Sequence, residues 1–234
     1  MKIVASKHKG LSVRAAANDE AEIVIYGGIG DDWWGDGSMI SAKAVSDELK
    51  KISSSVKTLN IRINSGGGDV FQGVAIYNRL KEFKTKKIVH IDGLAASIAS
   101  VIALAGDEII IGEGALYMVH LPWTYTGGNR IELDSVVNRL MDVEEQMLGI
   151  YSKRSGLSRN EVRALLEAET WMDADEAIEK GFVHSKVEDT VPIAASVFKA
   201  QWMKRRPEKF VSEQQAIKAR LDELKQKVQA KLAK

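Results

Sequence analysis

Hydrophobic positions recur with two periods along the chain, and the switches between them lay out most of its elements. Residues 22–27 are β-branched and aromatic and end at a glycine pair, and residues 58–64 alternate apolar with polar, so both predict strands. Residues 87–91 predict another strand, broken at Asp92-Gly93, and 108–111, 115–119 and 182–187 predict three more. Elsewhere the spacing is helical. Apolar residues at 42, 45, 49 and 52 predict a helix over 41–52, and Val70, Val74, Ile76, Tyr77 and Leu80 give an inner face to one that opens after Ser65-Gly66-Gly67-Gly68-Asp69 and runs to Phe83. Leu94 to Leu104 is apolar all round and predicts a buried helix. A long amphipathic helix covers 130–153, Ser158 with Glu161 predicts a capped short helix, and Asp173 starts another that ends at Gly181. The glycine-rich stretches 28–38 and 124–128 read as loops.

Alternation of strand and helix from 22 to 187 predicts one α/β domain with largely parallel strands. The organisation expected is an N-terminal segment over 1–21, a domain over 22–190 and a tail over 191–234. In that tail Ile217, Leu221, Leu224, Val228 and Leu232 mark one side of a helix, short for a coiled coil and equally suited to docking on its own domain.

Charge sharpens the division. The 234 residues carry 33 Lys and Arg against 32 Asp and Glu, a net +1 that argues against a simple nucleic-acid binder. Residues 191–234 hold 11 basic and 4 acidic side chains, or +7, which leaves 22 against 28, or −6, for residues 1–190. With no cysteine there is no disulfide, thiolate metal site or thiol nucleophile. The longest uncharged apolar stretch, Leu94 to Ala105, is 12 residues, short of a membrane span. No signal peptide opens the chain, so a soluble cytoplasmic protein is expected.

Four segments could carry chemistry. In Asp92-Gly93-Leu94-Ala95-Ala96-Ser97-Ile98, Ser97 falls in the first turn of a buried helix, where free N–H groups would stabilise an alkoxide or oxyanion; it could equally be a cap. His120 ends a strand before Leu121-Pro122 and could act as a general base, whereas His90 inside a strand reads as packed and His8 as exposed. Ser65-Gly66-Gly67-Gly68 could present N–H groups to an anion, although Asp69 and the lack of a following Lys-Ser/Thr pair argue against a phosphate cradle. A Ser–His pair needs a carboxylate to orient the imidazole, and Glu169 and Asp173 are the candidates, with Asp173 also placed to cap the helix after it.

Taken in order, these segments resemble the proteolytic subunit of Clp protease over roughly residues 22–187. Ile61-Arg62-Ile63-Asn64-Ser65-Gly66-Gly67-Gly68 is similar to that family's I-N-S-P-G-G stretch, Gly93 to Ser100 to its nucleophile segment, Met118-Val119-His120-Leu121-Pro122 to its M-I-H-Q-P, and Glu176 to Val183 to its E-A-x-x-Y-G-L-V. The resemblance implies a crotonase-like α/β fold of repeated β-β-α units and a serine endopeptidase without cofactor. It makes Ser97 the nucleophile, His120 the base and Glu169 the acid, with Gly67 and Ile98 as oxyanion donors. Gly68, Asp69, Val70, Leu121 and Pro122 would pair with a polypeptide substrate as an added strand. It further implies a homo-oligomer of heptameric rings, stacked as a tetradecamer, with helix 130–153 at the ring contact.

The chain departs from the family's pattern with Glu169 for aspartate, Gly66 for proline, an unlike segment 1–21 and the loop Asp31 to Gly37 bearing Trp33 and Trp34. With the basic tail, these departures resemble the Clp-related head-maturation proteases of tailed phages and prophages. Those would act on capsid scaffold or coat protein, without membrane or nucleic acid, and leave a Clp ATPase partner open. The alternatives are a housekeeping Clp subunit, a crotonase-like acyl-thioester enzyme, a non-catalytic assembly module working through its tail, and a Ser–Lys dyad peptidase.

Overall fold

The computed structural model describes residues 9–15, 19–33 and 35–187; the expected tail helix lies outside them. The first strand, β1 (Leu11–Ala15), falls within the segment the sequence reading set apart, and pairs antiparallel with β2 (Glu20–Tyr26). The stretch 28–38, expected to be loop, opens instead on a short strand, β3 (Gly28–Ile29), that pairs parallel with β4 (Met39–Ile40), and α1 (Ala42–Leu49), which Ser41 caps, follows. Next come β5 (Thr58–Ser65), α2 (Val70–Glu82), β6 (Lys86–Ala96), α3 (Ile98–Ala103), β7 (Glu108–Ile111) and β8 (Leu116–Val119). The chain continues through α4 (Arg130–Ser155), α5 (Arg159–Glu167), β9 (Thr170–Met172), α6 (Ala174–Glu179) and β10 (Ser185–Lys186).

The main sheet runs β1-β2-β5-β6-β7-β10, parallel from β2 onward. Alternation decides its faces. Ile23, Ile25, Leu59, Ile61, Ile63, Val89 and Ile91 are buried together with Val45 and Leu49 of α1 and Ile76 and Leu80 of α2. The opposite face is polar: Asp92 accepts from Arg62 Nε at 2.9 Å and from Tyr26 Oη at 2.5 Å, and His90 bonds Asn60 at 3.1 Å. Parallel sheets are usually apolar on both faces, and here paired polar groups take the place of the second apolar layer.

One correction bears on the site. The residue pattern predicts a strand broken at Asp92-Gly93 and a helix from Leu94, but β6 continues to Ala96. It pairs with β7 over Ile88–Ile91, bulges against β5, and then pairs with β8 over Leu94–Ala96. Glycine tolerates the bend because a Cβ on Gly93 would already sit 3.0 Å from Asn64 Oδ1. With residues 94–96 in a strand, α3 is only six residues long, and Ser97 sits at the joint. The last predicted strand also shrinks, to Ser185–Lys186, because the Phe182 and Val183 N–H groups turn back to Ala177 O.

Candidate active site

Ser97 joins β6 to α3 with φ 55° and ψ −131°, a left-handed conformation that costs a non-glycine residue about 1–3 kcal/mol. Its N–H donates to Met118 O on β8 at 3.0 Å, so the turn is held by the neighbouring strand. The residue is not buried inside a helix but presented at a sharp strand–helix junction, half-buried.

His120 follows directly on β8, which pairs with the end of β6, and this pairing brings the two residues together. His120 Nε2 lies 2.8 Å from Ser97 Oγ. With Nε2 accepting the serine proton, the imidazole proton is on Nδ1. Burial pushes the His120 pKa below its ordinary value, and the Glu169 carboxylate raises it by less. A neutral imidazole facing a serine hydroxyl is the arrangement a general base needs.

Glu169 sits between α5 and β9 with φ 49°. Ser97 and Glu169 are two of three non-glycine residues with positive φ among those described, Asp19 being the third. The carboxylate acts on His120 by charge but makes no hydrogen bond to it; its Oε1 accepts from the Trp171 indole at 3.4 Å. Asp173 is committed elsewhere. Its Oδ1 caps α6 by accepting from Glu176 N at 2.9 Å, while Glu176 Oε2 accepts from Asp173 N at 3.0 Å, a complete capping box.

The glycine turn packs directly on Ser97. A Cβ on Gly67 (φ 90°) would lie 2.7 Å from Ser97 Cβ and 3.1 Å from Ile98 N, so only glycine fits. The expectation that Gly67 offers its N–H to an oxyanion is corrected here: that N–H donates to Ser65 Oγ at 3.1 Å, and Ser65 Oγ donates to Gly27 O at 2.6 Å. Among the described residues the N–H groups of Gly68 and Ile98 make no such bond. Asp69 is exposed and its polar groups are engaged locally, its N–H donating to Ile29 O, its C=O accepting from Gly73 N and its carboxylate capping α2. Gly68 is likewise exposed and Val70 half-buried along the edge expected to meet substrate. Leu121 and Pro122 are half-buried on the segment after His120, with the Leu121 N–H tied to Leu166 O at 3.2 Å.

Comparison with known proteins decides what this arrangement belongs to: the Clp protease family model matches residues 11–190, a range that includes Ser97, His120 and Glu169. The chain belongs to the Clp protease family. ATP-dependent Clp protease proteolytic subunits of Streptococcus pneumoniae, from strains Hungary19A-6 and TIGR4 among others, are 32% identical over 133 residues, covering 55% of this chain and 68% of theirs. A ClpP1 point mutant from Listeria monocytogenes superposes with a TM-score of 0.59 at 25% identity, covering 70% of this chain and 90% of that one. As a Clp family member the chain is a serine endopeptidase of ClpP-like α/β fold, which removes the acyl-thioester reading. Members of the family generally form ring oligomers and pair with Clp ATPases. No helix among the described residues is long and apolar enough to cross a membrane, and no cluster there has the makings of a metal site.

Two features of this Clp protease site escaped the sequence reading. The left-handed Ser97 turn follows from the β6–β8 pairing, which no local pattern announces. The choice between Gly67 and Gly68 as a free donor depends on where Ser65 Oγ points, and the tripeptide of glycines carries no such signal.

Proposed function

We propose that this Clp-family serine endopeptidase cleaves polypeptides through Ser97, His120 and Glu169, with the N–H groups of Gly68 and Ile98 receiving the oxyanion. The observation that carries the reading is the 2.8 Å contact between His120 Nε2 and Ser97 Oγ at a strained strand–helix joint. Ser97 Oγ attacks the peptide carbonyl as His120 Nε2 takes its proton. The tetrahedral intermediate then expels the amine, to which His120 returns that proton. Water, deprotonated by His120, hydrolyses the acyl-enzyme. Glu169 stabilises the imidazolium by charge rather than through a bond to Nδ1. Gly68 replaces Gly67 as donor because the Gly67 N–H is already taken.

The finer reading is a phage or prophage head-maturation protease acting on scaffold or coat protein. It rests on the glutamate in place of aspartate, the loop Asp31 to Gly37 and the +7 of residues 191–234 against the −6 of the remainder. The same reading makes the working form a ring or stacked pair of rings. Ile131, Val137 and Met141 stand exposed along the first half of α4, whose buried residues begin only at Met147. The test is labelling by a fluorophosphonate and cleavage of a scaffold–coat mixture without ATP. Modification of Ser97, lost with cleavage in Ser97→Ala, supports the catalytic reading, and cleavage retained in Ser97→Ala overturns it. Cleavage of unfolded model substrates only with a Clp ATPase overturns the maturation reading alone.

A further inference from the structure

A trans peptide group is a rigid plane whose C=O and N–H point in opposite directions. The Ser97–Ile98 peptide is such a plane, so whatever holds the Ser97 carbonyl decides where the Ile98 N–H points. Ser100 holds that carbonyl twice, donating its backbone N–H at 3.0 Å and its Oγ–H at 2.5 Å. Having given its one proton to Ser97 O, the Ser100 hydroxyl can only accept in its 2.7 Å contact with Tyr151 Oη, so the phenol is the donor. Tyr151 comes from α4 and is fully buried, its ring edge-on to Phe182 at 5.8 Å. Ser100 is equally buried, in a helix whose other residues are all apolar, and its own carbonyl accepts from Tyr117 Oη at 2.8 Å. Packing alone would be served by alanine and phenylalanine, because buried hydroxyls add stability only when bonded. Here two of them form one line that ends on the nucleophile's carbonyl.

We propose that Ser100 and Tyr151 are positioning residues, a hydroxyl relay from α4 that draws the Ser97 carbonyl into the core and so turns the Ile98 N–H outward to receive the oxyanion. The relay rests on the reading of Ser97 as nucleophile and Ile98 as donor. It explains how a non-glycine residue is held at φ 55°: Met118 O fixes the N–H side of Ser97 and Ser100 fixes its carbonyl side. Neither hydroxyl touches substrate.

The experiment compares the full chain with Ser100→Ala, Tyr151→Phe and the double variant, assayed well below their melting temperatures. The readouts are kcat and KM on a fluorogenic peptide and affinity for a peptide boronate, which forms a tetrahedral anion on the serine. An oxyanion donor acts mainly in the transition state, so Ser100→Ala should lower kcat about tenfold or more with KM within about twofold. Boronate affinity should fall by a similar factor. Tyr151→Phe should act in the same direction by a smaller factor, about threefold, and the double variant should match Ser100→Ala because the phenol works only through Ser100. Unchanged kcat in Ser100→Ala despite a lower Tm, or fully additive effects, would overturn the relay. Should Ser100→Ala fail to fold, Tyr151→Phe decides, since it keeps the ring packing, and wild-type kcat there is the refuting result. A wild-type chain that cleaves peptide without boronate or fluorophosphonate bonding to Ser97 refutes the catalytic reading instead.

Discussion

Replacing Gly73 by alanine sets helix propensity against packing, and the structure says which prevails. Alanine is favoured over glycine inside a helix by ~1 kcal/mol, and α2 places Gly73 in its interior. A Cβ there would lie 2.1 Å from Ile98 Cγ1 and 3.1 Å from both its Cβ and Cγ2. Turning the Ile98 side chain merely exchanges one branch for the other, so α2 must back away from α3. Overpacking of this kind costs ~1–3 kcal/mol, and a clash with three atoms of one β-branched side chain belongs at the upper end. The net loss is then about 2 kcal/mol, which for a domain of this size lowers Tm by ~4–8 °C. Gly149→Ala in α4 is the control: its Cβ meets nothing nearer than Arg159 Nη1 at 3.5 Å, the far end of a flexible side chain. That variant should gain ~1 kcal/mol and ~2–4 °C. Thermal unfolding of both, followed by circular dichroism, is the assay, with peptide turnover measured in parallel. Gly73→Ala should also lose turnover, because it pushes on the residue that carries the proposed oxyanion donor. A Gly73→Ala chain as stable as wild type would refute the packing argument.

Further outcomes follow from the electrostatics and the caps. Glu169→Gln removes the negative charge that raises the His120 pKa, so the acid limb of kcat/KM should move to lower pH; a limb that moves up would show that Glu169 does not face the imidazole. Asp173→Ala should cost ~1 kcal/mol in Tm measurements through loss of the α6 cap and leave kcat nearly unchanged, whereas a collapse of turnover would pass the orienting role to Asp173. Burial holds His90, His120 and His184 below their ordinary pKa, helped at His90 by Arg62 and at His184 by Arg154. Each therefore contributes stability that is complete above the unfolded-state value, about 6.5, and is lost as pH falls through the lower folded-state values. Tm should begin to decline below pH ~6.5, ahead of most carboxylates, and a Tm that rises between pH 7 and 5 would contradict this.

Much of the architecture was legible because its causes are local. The alternation Leu59, Ile61, Ile63 makes β5 one-faced wherever it lies, and Ser158 with Glu161 or Asp173 with Glu176 closes a capping box from residues three apart. The order of the serine, histidine and glycine segments was likewise enough to point to a Clp-type peptidase, and the family match bears that out. What remained hidden depends on residues far apart in the chain. Leu94–Ala96 looks helical by composition, yet pairing with Leu116–Met118 keeps it a strand and forces Ser97 into the left-handed turn. One glycine N–H is free and its neighbour is not because Ser65 Oγ is anchored on Gly27 O, 38 residues away. Glu169 acts on His120 by charge without a bond to it, while its Oε1 accepts from the Trp171 indole. Sequence by itself determined most of the longer elements, the capping boxes at Ser158 and Asp173 and the kinds of side chain available for chemistry. Tertiary pairing decided where each N–H, carbonyl and carboxylate points, because hydrogen bonds are directional and their partners are set by strand register rather than by neighbours in the chain.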